Sequence, residues 1–199
     1  MSETASVGTL TCPTPDERPD LWPWSASREG GVLRVGGVDL TSVAADFGTP
    51  TFVLDVEAMR GRARVWASAM AEEFWDGYGM NGGEAFYAGK AFLTTQVARI
   101  VLQEGMGIDT ASRGEIAVSL AALQEVDGAE ATTDATRLGL HGNGKTQAEI
   151  AAAPTHHVGH LVLASLAAGE LAARAVRPLR VSGVYRPAAA GKGLVRSPI

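Results

Sequence analysis

Met59, Ala63, Trp66, Met70 and Phe74 recur every three or four residues, the spacing that lays one apolar stripe along a helix. Asp55 stands where a helix cap belongs, and Glu57 in the first turn suits the positive end of the helix dipole. Downstream, short apolar runs alternate with helical stretches. The pattern predicts strands at residues 85–88, 107–110, 137–140, 160–164 and 179–185, with helices at 94–104, 113–124, 146–153 and 166–176. Repeated strand–helix units with short connections imply parallel strands joined by helical crossovers. Upstream, residues 32–40 alternate around Gly36-Gly37 and predict a hairpin. A short helix at 42–47 ends at Gly48, and Pro50 opens a strand at 51–54. Residues 1–30, with Pro13, Pro15, Pro19 and Pro23, read as an irregular leader pinned by Trp22 and Trp24.

Such units build either a doubly wound sheet or a (β/α)8 barrel. No G-x-G-x-x-G turn or G-x-x-x-x-G-K-[ST] loop follows any predicted strand, which weakens the nucleotide-binding version. Polar residues do stand where successive strands end: Lys90, Asp109, His141-Gly142-Asn143 and Ser165. In a barrel those positions converge on one mouth, where barrel active sites form.

Composition narrows the class. With 46% hydrophobic and 20% charged residues over 199 positions, the chain is globular material sized for one ordinary domain. It has no apolar run of membrane-spanning length and no basic-then-apolar signal at Met1-Ser2-Glu3-Thr4, so no membrane partner is expected. A single cysteine, Cys12, excludes an intrachain disulfide and fits a cytoplasmic protein. The net charge of −5 is unevenly spread. Six basic and no acidic residues follow Leu171, so the preceding body holds 11 basic against 22 acidic residues. A body of that sign repels nucleic acid.

The candidate chemistry centres on Phe86-Tyr87-Ala88-Gly89-Lys90-Ala91-Phe92. A lysine held at the end of a buried strand loses hydration, which lowers its pKa and makes its amine a nucleophile toward aldehydes. The competing reading is a solvated lysine at a strand terminus. Ser112-Arg113-Gly114-Glu115 fits a capping box. Asp109 and His141 end their strands, as a turn-capping carboxylate and a packed histidine can. Lys145 is expected to face solvent or the following helix. His156, His157 and His160 carry partial metal-ligand spacing, but Pro154 and Gly159 break the helix and no carboxylate completes a set, so no metal site is expected.

These motifs occur in a recognisable order. Gly48-Thr49-Pro50-Thr51-Phe52-Val53-Leu54-Asp55, the Lys90 segment, Gly107-Ile108-Asp109-Thr110-Ala111-Ser112-Arg113-Gly114-Glu115, His141-Gly142-Asn143-Gly144-Lys145-Thr146 and Gly159-His160-Leu161-Val162-Leu163 follow one another. Together, over residues 30–170, they resemble the N-terminal half of the diaminopimelate decarboxylases, fold-type III pyridoxal-phosphate enzymes with an alanine-racemase-like barrel. The H-G-N-x-K element points to that branch rather than to ornithine or arginine decarboxylases. The resemblance implies an α/β fold, part of a (β/α)8 barrel, that binds pyridoxal 5′-phosphate. It makes Lys90 the Schiff-base residue and places Asp109 and the His141 loop beside the cofactor. The implied reaction is decarboxylation of meso-diaminopimelate to lysine, in a family that is homodimeric.

The departures are specific. Gly89 replaces a bulkier residue, residues 75–84 and 124–136 are Gly- or Thr-rich where the family turns compactly, and Leu163-Ala164-Ser165 lacks an aspartate. The second half of the barrel, its phosphate loop and the C-terminal β domain have no counterpart. The expectation is therefore a truncated or frame-shifted copy. It divides into a leader (1–30), a partial cofactor-binding barrel (31–176) and a basic tail (177–199), with a catalytically inactive fragment as the alternative to an enzyme.

Overall fold

Two pairs of glycines turn the chain at its start. Strands β1 (Ser27–Glu29), β2 (Val32–Val35) and β3 (Val38–Asp39) form an antiparallel sheet in the order β1-β2-β3. Gly30-Gly31 (φ 57° and 83°) and Gly36-Gly37 (φ 59° and 77°) make the two-residue loops, in the backbone region that tight hairpins demand. The second hairpin is the expected one. The first is a correction, because the leader read as irregular through residue 30 ends in β1. Ser-Arg-Glu carries no alternating signal, and its strand exists through pairing with β2. This sheet belongs to one compact unit, Met1–Gly61, and the remaining strands to a second, Arg62–Ile199. The computed structural model describes residues 13–76, 82–128, 135–175 and 181–183; Cys12 and parts of the segments 75–84 and 124–136 lie outside them.

Helix α1 (Leu40–Phe47) begins two residues before the expected start, because Asp39 caps it by accepting from the Thr41 and Ser42 amides. Residues 51–54 are extended but join neither described sheet, and Phe52, Val53 and Leu54 are exposed. The expected strand is therefore not formed: strand propensity is realised only against a paired neighbour. Both leader tryptophans are anchored within this unit. Trp22 Nε1 donates to the Pro13 carbonyl at 3.0 Å, and the Trp24 ring lies where a Cβ on Gly61 would stand.

Asp55 starts helix α2 (Val56–Asp76) as expected, its Oδ1 accepting from the Ala58 amide at 2.9 Å, and Ser25 Oγ donates to the same carboxylate. The Ala58 amide first, and then Ser25, hold the Asp55 carboxyl below the usual carboxylate range. Its folded pKa is lowered, so the cap's contribution is complete above the unfolded value near ~3.9 and is lost as pH falls through the folded value. Asp55→Ala is expected to cost about 1 kcal/mol at neutral pH. Urea unfolding of both proteins should show that gap shrinking toward zero in acid. The stripe expected on α2 is only partly realised. Ala63 is buried and Met59 and Met70 are half-buried, but Trp66 is 63% exposed, and Phe74 lies outside the described side chains. The side of α2 that packs carries Arg64, paired to Glu104 at 2.8 Å, and Ala67, which faces Gly105. Trp66 falls off that side.

The second unit is a five-stranded parallel sheet: β4 (Phe86–Ala88), β5 (Gly107–Thr110), β6 (Leu138–Gly142), β7 (His160–Leu163) and β8 (Val181–Gly183). Its order is that of the chain, β4-β5-β6-β7-β8, without the reversal of a doubly wound sheet. Helices α3 (Thr95–Gln103), α4 (Arg113–Asp127), α5 (Gln147–Thr155) and α6 (Leu166–Ala175) make the crossovers. The fold is α/β with a parallel, barrel-type strand order. The tail expected from residue 177 contributes β8, which pairs with β7; residues 176–180 and 184–199 lie outside the described residues. Helix α5 runs through Pro154, which was expected to break it, and stops one residue later.

One face of this sheet is the core. Ile108, Leu138, Leu140 and Leu161 are fully buried, and α3 and α4 pack beside them through Val97, Val101, Ile116, Ala122 and Leu123. Thr110, also buried, donates its hydroxyl to the Gly139 carbonyl at 2.7 Å. Ser119 on α4 is buried with no hydrogen-bond partner among the described residues. An unsatisfied hydroxyl is costly, so Ser119→Ala should raise stability by about 1 kcal/mol, measured as a higher urea midpoint with unchanged slope.

Candidate active site

Alternation along the strands sends the other set of residues to the opposite face. Register places Ala88 beside Asp109, Asp109 beside Gly139, Gly139 beside His160, and His141 beside Val162. These residues, with Phe86, line a cavity of about 300 Å³. Two glycines leave room on this face, Gly139 in the cavity wall and Gly107 beneath Phe86. A Cβ at Gly107 would meet the Phe86 ring at 2.5 Å, so that ring occupies the space above Gly107. Phe86 then meets His160 edge to face, with centroids 5.1 Å apart. A Cβ at Gly139 would stand 3.6 Å from Asp109 Oδ1 and 3.8 Å from His160 Cβ, so it would fill open volume rather than clash.

Asp109 and His141 meet at the upper end of this face, Nδ1 to Oδ2 at 3.2 Å, with both side chains partly exposed. The Asp109 carbonyl accepts from the Gly89 amide at 2.9 Å, which carries the β4–β5 ladder past the end of β4. The turn bearing Lys90 is tied twice more: the Ala91 amide donates to the Ala88 carbonyl at 3.1 Å, and Tyr87 Oη donates to the Phe92 carbonyl at 2.7 Å. Burial pushes the Tyr87 phenol above its ordinary pKa.

Lys90 itself is exposed, two residues past Ala88 of the cavity wall. The dehydrated lysine expected at a buried strand end is corrected here. The strand stops at Ala88, and the tied turn carries the amine beyond the last paired residue of an edge strand. The structure thus joins Asp109 and His141 in one cavity and leaves Lys90 exposed, outside the residues that line it.

Other expectations are altered by local contacts. Ser112 caps α4 by accepting from the Glu115 amide at 3.2 Å, but Glu115 Oε2 takes the Ala111 amide at 2.6 Å rather than that of Ser112. The complete capping box is on α5, between Thr146 and Glu149. Gly89 has a packing reason: a Cβ there would stand 3.1 Å from the Asp109 carbonyl and 3.3 Å from Glu115 Oε2. Lys145, expected to face solvent or its own helix, instead donates to the Ala111 carbonyl. Ser165 accepts from the Ala168 amide at 3.2 Å and caps α6. Of the three histidines, His156 ends α5, His157 follows at φ 51°, and His160 turns into the cavity. Gly139 and Val162 are not singled out as site residues in the sequence, although strand alternation from His141 and His160 marks both.

Residues 60–174 match the family model for the pyridoxal-dependent decarboxylases, over their pyridoxal-binding domain. The chain belongs to this family. The diaminopimelate decarboxylase of Mycobacterium tuberculosis H37Rv is 37% identical over 149 residues, which are 74% of this chain and 29% of that relative. The Corynebacterium efficiens enzyme of the same name is 38% identical over 148 residues, 73% of this chain and 28% of its own. The chain therefore spans less than a third of the length of these curated relatives. Among solved structures, the diaminopimelate decarboxylase of M. jannaschii superposes with a TM-score of 0.65 at 19% identity, over 81% of this chain and 36% of that one. The lysine decarboxylase of Selenomonas ruminantium gives 0.56 at 20% identity, over 79% and 37%. At such identities these two neighbours speak for the fold. For this decarboxylase family pyridoxal phosphate is the cofactor. No described helix is long and apolar enough to cross a membrane.

Proposed function

We propose that this chain carries the lysine-bearing part of a pyridoxal-phosphate-dependent amino-acid decarboxylase, with meso-diaminopimelate as substrate and Lys90 as the amine that captures the cofactor's aldehyde. The observation that supports the proposal is that the residue before Lys90, Gly89, bonds the Asp109 carbonyl, and Asp109 itself lines a cavity with His141. The residues present fit such a group. A carboxylate and an imidazole line a cavity that a Gly139 Cβ would partly fill, and the primary amine of Lys90 stands two residues past Ala88 of its wall. When bound, the cofactor supplies the electron sink that accepts the charge left when carbon dioxide departs.

The chain's own residues do the positioning. Lys90 offers a nucleophilic amine held on a fixed turn. Asp109 and His141 share a hydrogen bond that orients both polar ends toward the same opening. His160 and Phe86, packed edge to face, line the same cavity. The finer assignment to diaminopimelate is supported by 37% identity to enzymes of that name and by the His141-Gly142-Asn143-Gly144-Lys145 element. We place the division of the chain into a leader, a cofactor-binding part and a basic tail in the same proposal, as we do a cytoplasmic location and a homodimeric assembly.

The direct test incubates purified protein with pyridoxal phosphate and measures carbon dioxide released from meso-diaminopimelate, ornithine, arginine and lysine. Release from diaminopimelate alone, lost in Lys90→Ala, is the expected result. Release from ornithine or arginine instead would move the substrate to that branch. A bound cofactor without turnover on any substrate would make the chain a catalytically silent member.

A further inference from the structure

The peptide that follows β5 is held from both sides by charged side chains. The Ala111 amide donates to Glu115 Oε2 at 2.6 Å, and the Ala111 carbonyl accepts from Lys145 Nζ. Ala111 lies two residues past Asp109, and Gly142 directly follows His141. A Cβ on Gly142 would stand 2.7 Å from Lys145 Nζ, so the ammonium lies against the tip of β6 while it bonds the end of β5. One partly buried ammonium therefore bridges the two strands whose side chains form the Asp109–His141 pair.

We propose that Lys145 is a positioning residue of this site: it fixes the end of β5 against the tip of β6, and thereby the geometry of the Asp109–His141 pair. A role as an anchor for the cofactor's phosphate is the alternative use of an ammonium at this end of the sheet. The surroundings favour positioning. Glu115 sits on the Ala111 amide and Glu149 on the Thr146 amide at 2.9 Å, so carboxylates already occupy the starts of α4 and α5 on either side of Lys145. An anion placed there would face two like charges. A charge-assisted bond to a carbonyl is strong enough to set a strand tip in place.

The cofactor arm of the test rests on the proposed function, and the resonance arm does not. Lys145→Met and Lys145→Arg are compared with the parent chain by the NMR signals of the His141 ring and the Asp109 carboxyl carbon, and by absorbance titration with pyridoxal phosphate. Lys145→Met should shift both resonances in the cofactor-free protein and weaken cofactor binding about tenfold, and Lys145→Arg should restore most of each. Unchanged resonances in a folded Lys145→Met protein would overturn the proposal, even with a lower melting temperature. Unchanged resonances with weakened cofactor binding would assign Lys145 to the phosphate instead. Should Lys145→Met fail to fold, Gly142→Ala keeps the lysine but displaces its ammonium, and must move the same two resonances. A parent chain that binds no cofactor refutes the proposed function and leaves the resonances to decide on Lys145.

Discussion

Gly107→Ala should cost about 3 kcal/mol and lower the melting temperature by roughly 10 °C, the largest stability loss expected from any single methyl group on the cavity face. The new Cβ would meet the Phe86 ring at 2.5 Å and the Arg137 carbonyl at 2.7 Å. The ring could rotate away, but only by abandoning His160 and the cavity. The carbonyl cannot, because it accepts the Ile108 amide at 3.0 Å where β5 meets the start of β6. Gly139→Ala is the matched control. Its Cβ would make only ordinary contacts at 3.6 and 3.8 Å, so stability should change little while the cavity loses volume. Thermal unfolding of the two variants separates them, and equal midpoints would show that Gly107 is not a packing requirement.

Lys90→Ala should lower any decarboxylation by about 10³-fold or more, with little change in stability because the side chain is exposed. Lys90→Arg sharpens the reading. A guanidinium keeps the positive charge but remains protonated and cannot attack an aldehyde. If the charge alone mattered, arginine would preserve cofactor binding. The proposed function requires that arginine fail as alanine does, seen as loss of the absorbance band of the protein-bound cofactor. Retained turnover in either variant would place the chemistry on another amine.

The alternation of strands and helices was legible because the strands from Phe86 onward are short segments set between periodic helical stretches with recognisable caps. Thr94, Ser112 and Thr146 begin their helices as the sequence implies. What escaped was whatever depends on a partner. Ser27–Glu29 has no pattern of its own and becomes a strand only against β2. Residues 51–54 have the pattern and remain unpaired. Trp66 obeys helical spacing yet misses the packed side of α2, which is set by Glu104 and Gly105 from a distant turn. The same division holds at the site. Asp109 and His141 could be placed at one end of the sheet because strand ends are visible in sequence. The exposure of Lys90 and the bridge from Lys145 to Ala111 could not, since each depends on where neighbouring strands stop.

The most direct measurement adds pyridoxal phosphate to the purified chain, reduces with borohydride, and maps the modified peptide by mass spectrometry. The account predicts a pyridoxyl group on Lys90, in the peptide containing Tyr87 and Phe92. Label on Lys145 in its place, or a folded chain carrying no label at Lys90, would contradict it.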